Sequence, residues 1–218
     1  MAARSYAWAF WILALVGVGL DQTAKYGVFA RLYATGNPDL RDPGAKSWSV
    51  IPEKFELRAK FSNFRDEGSQ LLSPLRSLGG APLPGVNKGA LFGWLNDSAV
   101  VSPEAANLVF SLISVVAATA IVLWSARPAA RHDRLLCTAL GLILAGTLGN
   151  LYDRLVFGGV RDFLHFHWDR FDWPVFNLAD CCLVCGAFLL LMQAFSTRPA
   201  QDREKTASKV AVASEAGD

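Results

Sequence analysis

The residues best suited to chemistry in this sequence are three aspartates at the ends of apolar segments. Asp153 lies near the end of one such segment, Asp162 follows nine residues later, and Asp180 lies near the start of the last one. Charged groups are rare in lipid and mark functional sites there. Two carboxylates that lie close together cannot both ionise, so they share one proton. The ionised member can then activate water while the neutral member donates to a carbonyl oxygen, which are the two tasks of peptide hydrolysis.

Asp162 and Asp180 are the predicted catalytic pair, with Asp153 in support. Asp153 is followed directly by Arg154, which favours an ionised carboxylate held in a structural network. Asp162 and Asp180 each lie at the edge of an apolar segment without so close a fixed partner. The exception is Arg161, which would hold Asp162 ionised if its side chain pointed inward.

Other polar residues accompany the aspartates at helical spacing. Asn150 and Asn177 each precede an aspartate by three residues, which puts each pair on one face of a helix. Near the N-terminus, Asp21 precedes Lys25 by four residues, the favourable order for an ion pair within a helix. The simplest interpretation of that pair is mutual neutralisation that anchors the end of the helix.

Other kinds of chemistry have little support in the sequence. Neither a phosphate-binding loop with its lysine nor a Gly-x-Ser-x-Gly motif is present. His165 and His167 alternate and would suit a metal on a strand, but no third ligand is evident, so neither a metal nor a cofactor is predicted. Cys181, Cys182 and Cys185 lie in an apolar segment and are expected to pack there.

Four apolar segments are long enough to position these residues in a membrane. The chain has 218 residues, of which 52% are hydrophobic. Each segment, with its flanks, supplies the roughly 20 apolar residues that a membrane-spanning helix needs. The predicted spans are about Ala7–Ala30, Pro103–Ser125, Leu135–Val156 and Pro174–Phe195. The predicted fold is therefore an all-α membrane protein with four transmembrane helices and a small β or irregular extracytoplasmic segment between helices one and two.

Basic residues predict the orientation of these spans. Arginines are concentrated in the short connection after the second span, and arginines and lysines recur in the C-terminal tail. Such residues favour the cytoplasmic side, so both termini are predicted to be cytoplasmic.

We expect one four-helix domain over residues 1–197, with a long extracytoplasmic insertion at about 36–85, and a disordered cytoplasmic tail at 198–218. Short strands are possible around Trp48–Ile51 and Phe55–Phe61. The net charge of +2 does not indicate nucleic-acid binding.

Five short motifs occur in order along the four spans. They are Asp21–Lys25, Asn87–Gly93, Gly149–Arg154, Gly159–Phe163 and Phe176–Asp180. Together they resemble the lipoprotein signal peptidase family, also called signal peptidase II. The resemblance extends over roughly Tyr6 to Phe195, apart from the stretch between Gly36 and Gly85.

The resemblance implies an aspartic endopeptidase of the bacterial inner membrane. Such an enzyme removes signal peptides from prolipoproteins, cutting just before a diacylglyceryl-modified cysteine. Asp162 and Asp180 are then the catalytic pair, near the extracytoplasmic face. The remaining family positions hold substrate or support the pair; they are Asp21, Lys25, Asn87, Gly89, Asn150, Asp153, Arg154 and Asn177. The implied partners are prolipoproteins and membrane lipids, with no cofactor, and the chain is expected to be monomeric.

The chain departs from the family pattern in three ways. The segment before Asn87 is longer than expected, Lys88 stands where a small hydroxyl residue is common, and Arg161 stands where an apolar residue is common. These departures bear on substrate docking and on the working pH.

The alternative function is a small proton- or ion-coupled carrier. Carriers usually show inverted repeats and broken helices. The only internal repeat recognised in this sequence is the short motif Asn-x-x-Asp, which occurs twice.

Overall fold

Four long helices dominate the computed structural model, which describes residues 5–39, 42, 44–62, 72–76, 83–88 and 102–195. The long helices are α1 (Ala7–Thr35), α3 (Pro103–Ser125), α5 (Arg134–Phe157) and α6 (Leu178–Phe195), and two short ones are α2 (Ser73–Arg76) and α4 (Pro128–Arg131). Each long helix is apolar and long enough to span a membrane. The four predicted spans are confirmed, although α1 continues past Ala30 and α6 begins after Pro174.

Helix α5 occupies the centre of the helical bundle. In its most apolar stretch 67% of the residues are buried, against 17% in α1 and 11% in both α3 and α6. Small residues allow this close packing. A Cβ atom added to Gly141 would lie 2.8 Å from the carbonyl oxygen of Phe10 in α1, and one added to Gly146 would lie 2.3 Å from that of Ala179 in α6. Close backbone approach matters here because lipid provides no hydrophobic drive for helices to associate.

The outward faces of the long helices are apolar. Leu15 in α1, Val116 in α3 and Val184 in α6 are 71%, 68% and 69% exposed. Exposed apolar surface of this extent is unfavourable in water but matches the hydrocarbon core of a bilayer. The chain is therefore a multi-pass membrane protein.

A five-stranded antiparallel sheet lies at one end of the bundle. Its strands, in both chain and spatial order, are β1 (Asn37–Pro38), β2 (Ala45–Ile51), β3 (Phe55–Lys60), β4 (Leu164–Trp168) and β5 (Phe171–Asp172). The two strands predicted before the second span are therefore confirmed as parts of β2 and β3, with Phe61 forming only an isolated bridge to Pro84. Strand β3 pairs with β4, so the segment after α1 joins the loop between α5 and α6 in one sheet.

The sheet is held against the helical bundle by an apolar cluster. Phe29 and Leu32, near the end of α1, pack with Ala59 and Phe61 and with Phe163, which directly precedes β4. All five are buried. Because this cluster joins α1, β3 and the start of β4, it places the chain around Asp162 relative to the membrane helices.

Candidate active site

Asp162 lies between the end of α5 and the start of β4. Helix α5 ends at Phe157 and is capped by Gly158, whose φ of 73° is a left-handed conformation that glycine adopts readily. Asn87 and Val160 then form an antiparallel bridge, with N–O distances of 2.8 and 2.9 Å. A Cβ atom at Gly159 would lie 2.8 Å from Val86, so glycine permits this close approach. The bridge brings Nδ2 of Asn87 to 3.1 Å from Oδ2 of Asp162.

Asp180 lies in the first turn of α6 and helps to cap that helix. Asn177 immediately precedes the helix. Its side-chain oxygen accepts from the backbone N–H of Asp180 at 3.1 Å, while Oδ2 of Asp180 accepts from the backbone N–H of Asn177 at 3.2 Å. This reciprocal arrangement is a capping box, which satisfies two otherwise unpaired N–H groups. The helix start therefore fixes the Asp180 carboxylate.

Asn177 also links the two predicted catalytic aspartates. Its Nδ2 donates to Oδ1 of Asp162 at 2.7 Å, so one buried residue contacts both carboxylates. Asn150, in α5, donates through Nδ2 to Oδ1 of Asp180 at 2.8 Å. The structure thus brings Asp162, Asp180, Asn87, Asn150 and Asn177 together at the same end of the bundle, using residues from α5, α6 and the loops that adjoin them.

Beneath this group lies a fully buried set of opposite charges. Nζ of Lys25 is 2.8 Å from Oδ2 of Asp21, 3.3 Å from Oδ2 of Asp153 and 3.3 Å from Oδ1 of Asn150. Asp21 also accepts from the N–H of Ala179, so α1 helps to cap α6. The predicted pairing of Asp21 with Lys25 is present. However, Asp153 pairs with Lys25 and with residues outside α5 rather than with its neighbour Arg154.

Arg161 points inward but binds Asp153 instead of Asp162. Its guanidinium donates to both Asp153 oxygens, at 2.8 and 3.3 Å, and to Oε1 of Gln22 at 2.7 Å. It also lies 4.2 Å from the ring centroid of Tyr26 and 4.0 Å from that of Phe157. Aromatic faces stabilise a guanidinium held out of water. The expectation that an inward Arg161 would hold Asp162 ionised is therefore not supported by the contacts found.

Gln22 completes this charged cluster and was not singled out from the sequence. Besides accepting from Arg161, its Nε2 lies 3.0 Å from Asp21, 3.1 Å from the carbonyl oxygen of Gly149 and 3.3 Å from Asp153. Its position directly after Asp21 in α1 could have suggested a role. Apart from Asp21, its partners come from α5 and beyond, and no spacing in the sequence indicates them.

Two further predicted site residues are Arg154 and Gly89, and Arg154 lies near enough to interact electrostatically with Asp162 and Asp180. Arg154 donates to the carbonyl oxygen of Asn150 at 3.3 Å and stacks over Phe110, 5.3 Å from its ring centroid. Lys88 forms an exposed ion pair with Glu104 at 3.1 Å. Gly89 falls outside the described residues.

Burial perturbs the protonation of Asp162. Removal of the carboxylate from water raises the pKa of Asp162 from 3.8 to about 6, while the amide groups of Asn177 and Asn87 oppose that rise and the charge of Asp180 adds to it. A carboxyl with this pKa can both hold and release a proton near neutral pH.

A cavity of about 300 Å³ opens beside Asp162. One side is formed by the chain that bears Asn87, and another by Pro174 and Val175, just before α6. The sheet contributes Arg58 and Lys60, together with Asp42. The cavity therefore offers a route from the sheet side to one carboxylate of the pair.

Comparison with known proteins identifies the family. Residues 84–196 match the family described as signal peptidase (SPase) II, and the chain belongs to that family. It is 42% identical over 114 residues to the lipoprotein signal peptidase of Aquifex aeolicus, covering 52% of this chain and 65% of the relative. It is also 42% identical over 112 residues to that of Ectopseudomonas mendocina, covering 51% and 63%. The match thus spans just under two thirds of these relatives' length.

Two solved structures share the fold. Both are bacterial membrane enzymes determined by the in meso method, with TM-scores of 0.61 and 0.62 and sequence identities of 22% and 23%. Each similarity covers 90% of this chain, and 93% and 99% of the respective structures.

Proposed function

We propose that this chain is a membrane aspartic endopeptidase that removes signal peptides from diacylglyceryl-modified prolipoproteins, cutting just before the lipidated cysteine. Membership in the signal peptidase II family supports the reaction and the substrate class. The observation that carries the catalytic assignment is the contact of Asn177 with both Asp162 and Asp180. Two carboxylates sharing one proton supply the acid and the base of peptide hydrolysis.

The amide contacts suit such a pair. Each carboxylate accepts from two N–H groups, which orient it without adding a positive charge. A directly bonded cation would favour two ionised carboxylates more strongly than these neutral amides do, so one proton can still be shared. Because burial raises the pKa of Asp162 to about 6, we assign the proton-donating role to Asp162 and the activation of water to Asp180.

The remaining family residues have supporting roles in this proposal. Lys25 and Asp21 hold Asn150 and the start of α6, which in turn hold Asp180. The peptide near the scissile bond would bind in the cavity beside Asp162, with Asn87 contacting its backbone. The diacylglyceryl chains would stay in lipid, where each buried CH₂ contributes about 0.8 kcal/mol to binding. With both termini in the cytoplasm, the pair faces the extracytoplasmic side.

The test is cleavage of a defined substrate by the purified protein in detergent. A diacylglyceryl-modified prolipoprotein is incubated with the parent chain and with Asp162→Asn and Asp180→Asn, and mass spectrometry locates the cut. We expect the parent to release the signal peptide directly before the modified cysteine. Both variants should lose at least about a thousandfold in rate, since neither acid nor base can be replaced by an amide.

A matched control separates this loss from a general effect of removing a carboxylate. Asp169 lies in the turn between β4 and β5 with a φ of 52°, a conformation that asparagine also adopts. Asp169→Asn should therefore cleave at the parent rate. Folding of each variant is checked by its thermal unfolding. If Asp162→Asn stays folded and active, the catalytic pair is misassigned. If an unlipidated precursor is cut equally well, lipid recognition is excluded.

A further inference from the structure

Three side chains of metal-ligand type converge on one face of the sheet. His165 and His167 are two residues apart in β4, so both point to the same face of the strand. Glu56, in β3, lies directly opposite His165 in the strand pairing. Their ligand atoms all lie within 4.8 Å of one another. The spacing in the sequence identifies the two histidines, whereas Glu56 is brought beside them only by the pairing of β3 with β4.

Both ring nitrogens of His165 face carboxylate oxygens. Nε2 lies 2.5 Å from Oδ1 of Asp172, and Nδ1 lies 2.8 Å from Oε1 of Glu56. Carboxylates only accept, so a neutral ring that donates to Asp172 would direct the lone pair of Nδ1 at an oxygen of Glu56. That repulsion is avoided when a proton on either group, or a metal ion, lies between Nδ1 and the Glu56 carboxylate.

The surroundings favour a metal ion over a proton. A proton would satisfy His165 alone, whereas a second imidazole, that of His167, lies with its ring centroid 5.2 Å from that of His165 and its Nε2 4.0 Å from Oε2 of Glu56. Zinc in a site of two histidines and one glutamate lies about 2.1 Å from each ligand atom, so those atoms are roughly 3.4 Å apart. The separations found are 2.8 Å from Nδ1 of His165 to Oε1 of Glu56 and 4.0 Å from Nε2 of His167 to Oε2 of Glu56, one on each side of that value. His165 and Glu56 are buried, at 2% and 7% exposure, which keeps competing water away.

We propose that Glu56, His165 and His167 bind one divalent transition-metal ion, with zinc as the ion that fits the ligand set best. Nδ1 of His165 is the ligand atom, and Asp172 orients the ring through Nε2, an arrangement common among metal-bound histidines. Two histidines and one carboxylate leave a fourth position for water. The ion joins β3, from the insertion, to β4 and so stabilises the sheet. This assignment does not depend on the proposed peptidase activity.

The test measures metal content and stability rather than activity. The full chain, purified in detergent and stripped with EDTA, is supplied with ZnCl₂ and dialysed, and zinc is measured by mass spectrometry of the metal. We expect one zinc per chain in the parent and at most a tenth of that in His167→Asn and Glu56→Gln. Free zinc at about 100 times Kd should raise the parent Tm by several degrees and leave the Tm of those variants unchanged.

Two controls distinguish this site from other binding. His132 lies between α4 and α5, far along the chain from the sheet, so His132→Asn should keep full zinc content. Asp162→Asn should keep it too, which excludes binding at the aspartate pair. Because His167 is half-buried, its replacement should leave the metal-free protein folded, as thermal unfolding will verify. Substoichiometric zinc in the parent, or equal content in His167→Asn, would overturn the proposal.

Discussion

Replacement of Asp162 by asparagine is expected to change the pH dependence of stability. Burial raises the pKa of Asp162 from 3.8 to about 6, so the folded state binds this proton more tightly than the unfolded state does. The resulting stabilisation is fully present below about pH 4 and is lost as the pH rises through about 6. Asparagine does not titrate, so the variant lacks this loss. Relative to the parent, Asp162→Asn should therefore become more stable as the pH rises.

The size of the change follows from the pKa. The rise in the pKa of Asp162, by about two, corresponds to about 3 kcal/mol of stabilisation, since a pKa change of one is worth about 1.36 kcal/mol. The asparagine also alters hydrogen bonds with Asn87 and Asn177, which adds a constant offset at every pH. The pH-dependent part of the difference is free of that offset. Between about pH 4 and pH 8, this pH-dependent part should raise the Tm of the variant relative to that of the parent by roughly 6–12 °C.

The assay is thermal unfolding of both proteins in detergent, followed by circular dichroism at several pH values in that range. Asp169→Asn, in the exposed turn between β4 and β5, controls for the removal of one negative charge and should track the parent. A Tm difference that stays constant with pH would show that Asp162 is not desolvated as the structure indicates. A difference that moves in favour of the parent at high pH would show that a cation holds Asp162 ionised.

Three further predictions concern the groups around the pair. Lys25→Met leaves the buried Asp21 and its neighbours without their shared cation and should destabilise the protein by about 3–5 kcal/mol, measured by thermal unfolding. Gly146→Ala forces a Cβ to within 2.3 Å of a backbone oxygen in α6 and should cost about 1–3 kcal/mol by the same measurement. Asn177→Ala removes a helix cap worth about 1 kcal/mol and should also reduce the cleavage rate at least about a hundredfold, because both carboxylates lose their common partner.

Each of these changes has a matched control elsewhere in the chain. Lys60→Met breaks a largely exposed pair with Asp42 and should cost at most about 1 kcal/mol. Gly19→Ala adds a Cβ that meets nothing within 4 Å and, because alanine favours a helix more than glycine does, should leave the Tm unchanged or slightly raised. Asp133→Ala removes the side-chain cap of α5 but should leave cleavage at the parent rate. A cleavage loss in Asp133→Ala equal to that in Asn177→Ala would indicate that capping alone explains the effect.

The membrane helices were predictable from the sequence because their signal is local. A run of about 20 apolar residues has few alternatives to a spanning helix. The start of α6 was less certain, since the apolar composition extends back to Pro174 while the helix begins at Leu178. That difference matters, because only a start at Leu178 makes Asn177 and Asp180 a capping box. The spacing predicted that the two residues share a face, but not their reciprocal bonds.

The sheet and the charged cluster depend on contacts between distant segments. Glu56 and His165 are paired across more than a hundred residues, and neither strand carries information about its partner. The same holds for Arg161, whose sequence neighbour is Asp162. The turn at Gly158 directs its side chain to Asp153 instead. Proximity along the chain therefore suggested the wrong partner for Arg161, whereas for Asp21 and Lys25 the helix made proximity a reliable guide.

The arrangement of charge explains how a chain with Arg161 can still hold a proton-sharing pair. Among the described residues, the hydrogen bonds to Asp162 and Asp180 come from amide groups. Lys25 and Arg161 are instead held by Asp21 and Asp153, and these four groups sum to zero charge. Had Arg161 contacted Asp162, its charge would have lowered the pKa of that carboxyl and removed the shared proton. Neutralising Arg161 with Asp153 keeps a buried cation near the pair without that consequence.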